Sequence, residues 1–184
     1  MGDHITNNLA PGAPHVHASN GTLATFFDVL TLAATARART TWELQLALWL
    51  AESDQTILGL GMVGFDVSEL GWTAEAFEDQ RRFLLEIIDG AMAREGWERL
   101  PFALHDATWV IALLRQVREM VERLPREALP TPHVRTWRWH DGLPEYGRCE
   151  LHHVYLHAAG CILCNEAPLE VPVPHRTAPP KRAS

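Results

Sequence analysis

The sequence predicts an α+β protein, in which two amphipathic helices pack on a small antiparallel sheet and a segment rich in cysteine and histidine follows. Three observations predict this class. Apolar and polar residues alternate in the first third of the chain, apolar residues recur with a helical period between residues 73 and 124, and all three cysteines lie between residues 149 and 164. With 184 residues, 47% of them hydrophobic, the chain is long enough to bury one main core.

The first 37 residues give the weakest periodic signal. Residues 1–21 mix Asn, Pro, Gly and His without a period, which predicts a flexible lead-in. Residues 22–37 are apolar with β-branched residues interleaved, so neither a helical nor a strand template fits better. The β-branched residues favour a strand at the centre of this segment. We expect the body of the protein to extend from residue 22 to residue 124.

Residues 42–50 and 56–67 carry the alternation of a β-hairpin. The first segment alternates apolar and polar positions with the period of a half-buried strand, although a helix could also gather Trp42, Leu46 and Trp49 on one face. The strict alternation favours a strand. Residues 53–55 then form a turn, and the phase of the second segment changes beside glycines, which indicates a bulge.

Two helices are predicted after the hairpin. The first begins near Thr73, a candidate N-cap, and ends near Gly96, and the second begins near Asp106 and ends before Pro125. Both segments place apolar residues on one stripe, as a helix packed on a sheet requires.

The prolines and the charges divide the chain further. Residues 125–135 carry three prolines and are predicted to be a linker, and residues 167–184 form a disordered, Pro-rich tail. Through Pro130 there are 18 acidic and 10 basic residues, whereas beyond it there are 5 and 6. An acidic body repels phosphate, which argues against broad nucleic-acid binding through its surface but not through the C-terminal part.

The N-terminal sequence and the hydropathy favour a cytoplasmic protein with no membrane partner. No apolar run reaches the ~20 residues that span a bilayer, and the first residues lack a signal-type pattern. Lys181 is the single lysine and Ala is abundant, which is typical of a GC-rich bacterial genome. Cytoplasmic thiols stay reduced, so clustered cysteines favour a metal over a disulfide.

The strongest chemical signal is the phrase Cys149-x-x-His152 followed, after eight residues, by Cys161-x-x-Cys164. Each pair turns its side chains to one point, and the short loop brings the two points together, as a tetrahedral metal needs. We therefore predict a Cys3His zinc site within a finger at residues 136–166. So short a segment cannot bury a core of its own, so the zinc would be structural.

The segment 147–166 resembles the small fingers of the zinc-knuckle and zinc-ribbon families, on the four residues Cys149, His152, Cys161 and Cys164. The resemblance implies a closed structural site and does not select a function, because such fingers contact proteins and nucleic acids alike. His153 and His157 are close enough in sequence to replace His152 as the nitrogen ligand.

Two weaker motifs resemble ligand-binding sites, but we do not predict that either binds a ligand. Gly59, Gly61 and Gly64 match the spacing of a dinucleotide-binding loop, but no helical stripe follows them, so close packing of a strand is favoured. His15 and His17 have the spacing of a metal pair on a strand, but their Pro/Gly-rich surroundings favour solvated side chains.

A cluster of arginine and tryptophan precedes the cysteines and is a candidate partner-binding segment, formed by Arg135, Trp137, Arg138 and Trp139. Such residues anchor protein interfaces and stack on bases, although they would also suit a strand packed on the body. The leading hypothesis is a non-enzymatic protein-interaction module of inhibitor or immunity type. A nucleic-acid-binding regulator acting through the finger is the alternative, and a metal-dependent nuclease or hydrolase is third.

Overall fold

The computed structural model describes residues 3–53, 64–100, 102, 104, 106–129, 147–156 and 160–164. These ranges contain a three-stranded mixed sheet and four α-helices, which confirms the α+β class. The strands are β1 (Asp3–Thr6), β2 (Val16–Ala18) and β3 (Phe65–Asp66). The helices are α1 (Asn20–Arg37), α2 (Thr41–Ser53), α3 (Phe77–Met92) and α4 (Thr108–Glu122).

One strand of the sheet, β3, lies within the second segment of the predicted hairpin, whereas the other two strands come from the first 18 residues. Its order is β2-β1-β3, with β1 antiparallel to β2 and parallel to β3. The prediction of a flexible lead-in at residues 1–21 is wrong, since this segment supplies β1 and β2. These strands are too short to show a period in the sequence. Their pairing is stabilised because Ile5, Val16 and Ala18 are buried in the core.

Gly64 allows β3 to approach β1 closely. A Cβ atom at this position would lie 1.9 Å from the carbonyl oxygen of His4, a distance that no side chain tolerates. The close-packing interpretation of this glycine is confirmed, whereas Gly59 and Gly61 lie outside the described residues.

The segment 22–37 is a helix, and the preference for a strand at its centre is wrong. Helix α1 contacts α2, α3 and α4, and most of its residues are buried. A helix buried on all sides needs apolar residues on every face, so it carries no amphipathic stripe. Ser19 accepts a hydrogen bond from the amide of Thr22 at 3.3 Å and caps its first turn.

The predicted strand at residues 42–50 is also wrong, because these residues belong to α2. Leu46, Leu48 and Leu50 are all buried, since this helix contacts neighbours over more than one face. The start of the helix was marked in the sequence by Thr40 and Glu43. The Glu43 carboxylate accepts from the Thr40 amide at 2.9 Å, and Thr40 Oγ1 accepts from the Glu43 amide at 3.4 Å, which forms a capping box. Residues 54–63, which include most of the predicted second strand, lie outside the described residues.

Both amphipathic helices are confirmed as α3 and α4. The prediction that Thr73 caps the first of them is wrong, because α3 begins after Ala76. Thr73 Oγ1 accepts from the Ala76 amide at 3.4 Å, in the turn before the helix. Asp106 accepts from the Thr108 amide at 2.9 Å, but the N-cap of α4 is Ala107, so the predicted cap lies one residue before the observed one. Gly96 has φ 76°, a left-handed conformation that suits glycine beyond the end of α3.

The C-terminal boundaries are described only in part. Arg126–Ala128 forms a single 3₁₀ turn at the start of the predicted linker, and the tail at 167–184 lies outside the described residues. Within the described ranges, no helix combines the length and apolar character that crossing a lipid bilayer requires.

Replacing Gly64 by Ala is expected to lower the free energy of unfolding by about 1–3 kcal/mol, because the methyl group must displace the backbone of β1. The matched control is Gly21→Ala, at a position with no neighbouring atom within 4 Å, where Ala is expected to be neutral or stabilising by up to about 1 kcal/mol. Urea denaturation of both variants measures the difference. Equal stabilities would contradict the close approach of the two strands.

Candidate metal centre

Cys149, His152, Cys161 and Cys164 come together as a group that can hold a metal ion, with their ligand atoms all within 4.8 Å of one another. The Sγ atoms of Cys149 and Cys164 are 3.7 Å apart, and His152 Nδ1 lies 3.6, 3.6 and 3.3 Å from the sulfurs of Cys149, Cys161 and Cys164. A tetrahedral ion of zinc size would separate two sulfurs by about 3.8 Å and a sulfur from a nitrogen by about 3.6 Å. The cluster therefore has the dimensions of a tetrahedral centre.

A short hairpin positions the first pair of ligands. Arg148 and Tyr155 form an antiparallel bridge, and the Cys149 amide donates to the Val154 carbonyl at 2.9 Å. His153 closes the turn with φ 55°, a left-handed conformation. The turn directs the His152 amide toward the Cys149 sulfur at 3.4 Å, an arrangement that stabilises a thiolate.

A second turn positions the other pair. Gly160 has φ 103°, a backbone conformation open to glycine, and it directs the chain into Cys161. The Cys164 amide then donates to the Cys161 carbonyl at 3.1 Å, which brings both thiols to the same side of the turn. The three cysteines are free thiols, so no disulfide competes with a metal for them.

The metal cluster packs against the helical body. A second hydrophobic core joins Cys149, Val154, Cys161, Ile162 and Leu163 of the finger to Leu32 of α1 and Ala51 of α2. Tyr155 reaches the main core, and Arg99 donates to the His152 carbonyl. Burying aliphatic side chains such as Val154 and Ile162 contributes about 1.5–3 kcal/mol each. The finger is thus held by apolar contacts as well as by its ligand set.

The thiols differ in acidity when no metal is bound. Burial raises the pKa of the Cys161 thiol, and burial together with hydrogen bonds to the other two thiols raises that of Cys164 to about 12. Burial also acts to raise the pKa of Cys149, but hydrogen bonds from the amides of His152 and Leu151 and from the other thiols lower it to about 7. Three thiolates therefore coexist only beside a cation.

The arrangement is suited to a structural role. Four protein ligands complete a tetrahedral shell and leave no position for a reacting water, which a catalytic site needs. Cys149 and Cys161 are buried, and His152 is partly buried. His152 supplies the nitrogen of the cluster, whereas His153 is exposed and His157 lies outside the described residues.

Beside the cluster lies an open cleft of about 410 Å³. It is lined by Thr35, Ala36, Arg39, Arg99, Arg148, Leu151, His152 and His153. In the described part of the chain, none of its three arginines forms an ion pair with a carboxylate. Leu151, in the turn between Cys149 and His152, is 75% exposed. No pattern in the sequence indicated this cleft, because its residues come from distant segments.

The predicted partner-binding residues Arg135, Trp137, Arg138 and Trp139 lie outside the described residues. No family model, curated protein or solved structure matches this chain. Its function therefore has to be argued from the site.

Replacing Cys161 by Ser, or His152 by Ala, is expected to abolish metal retention, because either change leaves three ligands in the shell. The matched control is His153→Asn, which removes the adjacent imidazole at a left-handed position that Asn tolerates. Elemental analysis after dialysis against a weak chelator measures retention. Metal lost in the His153 variant but kept in the His152 variant would show that the ligand assignment is wrong.

Metal affinity is expected to fall as the pH is lowered. Near pH 8 the thiols of Cys161 and Cys164 are still protonated, so binding should release about two protons and affinity should fall about 100-fold per pH unit. Below about pH 7 the Cys149 thiol is protonated as well, which makes the fall steeper. Calorimetric titration in buffers of different ionisation enthalpy counts the protons. Heats that do not depend on the buffer would contradict this expectation.

Proposed function

We propose that the protein is a zinc-stabilised, non-enzymatic protein-interaction module that contacts its partner through the finger and the adjoining cleft. The single observation on which this rests is the position of Leu151, which is 75% exposed in the turn between Cys149 and His152. A metal held by these two ligands would fix the conformation of that turn. An exposed leucine on a rigid turn is already held in the conformation that contacts a partner, which lowers the entropy cost of binding.

Zinc is the metal that suits the site best. Three thiolates and one imidazole are soft or borderline ligands, and tetrahedral geometry with such ligands is typical of zinc. Calcium and magnesium require oxygen ligands, and the cluster contains none.

The charge of the cleft indicates the character of the partner. Arg39, Arg99 and Arg148 line it beside Leu151, so an apolar anchor is bordered by positive charge. The protein as a whole is acidic, with a formal net charge of −7. A partner that presents an apolar pocket flanked by carboxylates would complement this surface, while its other acidic surfaces would be repelled by the body.

Nucleic-acid binding is the second candidate, because arginines without carboxylate partners in the described residues are also suited to phosphate. Binding through them would be opposed by the acidic body, and it would weaken steeply with added salt. For these two reasons we rank nucleic acid second to protein as the proposed partner.

Substitution of Leu151 by Asp is expected to weaken partner binding by at least about tenfold, or about 1.4 kcal/mol, without loss of metal. Crosslinking and affinity capture from nuclease-treated cells identifies the partner, and titration of the purified pair gives the dissociation constant. Trp109→Ser is the matched control, since Trp109 of α4 is another exposed large apolar residue, at 37%.

A partner that binds the Leu151→Asp variant as tightly as the unmodified protein would refute the proposed surface. A parallel capture without nuclease treatment that recovers nucleic acid and no protein partner, with an affinity that falls steeply with salt, would favour the second candidate.

A further inference from the structure

Three histidines gather on one face of the sheet, on and beside strands β1 and β2, and they are distant from the cysteine cluster in sequence. His4 lies in β1, His15 directly precedes β2, and His17 lies in β2; all three side chains are exposed. His15 Nε2 lies 3.1 Å from His4 Nδ1. The ring centres of His4 and His15 are 5.0 Å apart, and those of His4 and His17 are 4.8 Å apart.

The strand geometry explains why the rings share one face. Side chains along a strand alternate between faces, so His15 and His17 lie on the same side while Val16 between them is buried. The antiparallel register sets His4 directly opposite His17. Ile5, the next residue along β1, is fully buried, so His4 also faces outward. The sheet thus brings together histidines that are eleven positions apart in sequence.

The two separations measured from His4 match those of imidazoles bound to one ion. With a metal–nitrogen distance of about 2.0–2.1 Å, two nitrogens on one metal lie about 2.9 Å apart at a right angle and about 3.4 Å apart at the tetrahedral angle. Adding the radius of the imidazole ring, the ring centres would lie about 4.5–5.2 Å apart. The separations of His4 from His15 and from His17 both fall within this range.

We propose that His4, His15 and His17 form a second metal site, which binds a divalent transition metal such as zinc through three imidazole nitrogens. Imidazole suits zinc and its neighbours in the first transition row, and three protein ligands leave a coordination position for water or a further ligand. The site shares no residue with the cysteine cluster, and it does not depend on the proposed protein-interaction function. In contrast to the cysteine centre, it is exposed and open.

Titration of the tag-free, full-length protein with zinc tests the proposal, starting from protein whose cysteine centre is already loaded. Calorimetry is expected to show one further equivalent of zinc. Cobalt added in its place is expected to give ligand-field bands without the intense sulfur charge transfer that thiolate ligation would produce. Replacing His4 by Gln, His15 by Gln or His17 by Thr is expected to weaken this binding by at least about tenfold each.

His153→Asn is the matched control, because it removes an exposed histidine outside the cluster and should leave the second equivalent unchanged. In the unmodified protein, ¹⁵N side-chain spectra should show zinc-dependent shifts at His4, His15 and His17, a readout that needs no variant. Absence of a further equivalent, or its persistence in the three histidine variants, would overturn the proposal. Equal loss in the His153 control would also overturn it.

Discussion

Helix α1 (Asn20–Arg37) is buried on several sides at once, and the rest of the structure is arranged around it. Helices α2, α3 and α4 all contact it, and Leu32 on α1 belongs to the core beneath the cysteine cluster. Removing so many apolar side chains from water is the largest favourable term in folding. The finger packs on Leu32 of α1, and β2 is joined to α1 by Ser19 alone, so this helix links the sheet to the finger.

The finger combines two sources of stability that are often separate in small modules. Its ligand cluster fixes two tight turns, and its apolar residues Val154, Ile162 and Leu163 are buried against the helices. A module held by metal alone is free to unfold independently when the metal leaves. Here the apolar contacts couple the two parts, so the conformation of the turn at Leu151 depends on the body as well as on the metal.

The distribution of arginine, cysteine and histidine side chains gives the molecule two chemically different regions. The cleft beside the cysteine cluster is lined by three arginines on an otherwise acidic protein. One face of strands β1 and β2 carries three clustered histidines instead. A closed cluster of thiolates is suited to shaping a surface, whereas exposed imidazoles are suited to exchange of a metal with solvent.

The sequence by itself determined the ligand set, the two amphipathic helices α3 and α4, and the α+β class. These features are local: ligand pairs with two intervening residues converge within one turn, and a helix with one apolar face shows its period directly. The capping box at Thr40 and Glu43 is also local, but it became evident only from the structure, and the alternation of residues 42–50 led to the wrong prediction of a strand. Tertiary structure decided the rest. Helix α1 is buried on several sides and α2 over more than one face, so neither shows the single apolar stripe by which a helix is recognised in a sequence. The pairing of β1 with β2 and β3 depends on contacts between distant segments. The arginine cleft likewise exists because folding brings distant segments together. The spacing of His15 and His17 is visible in the sequence, but only folding places His4 beside them.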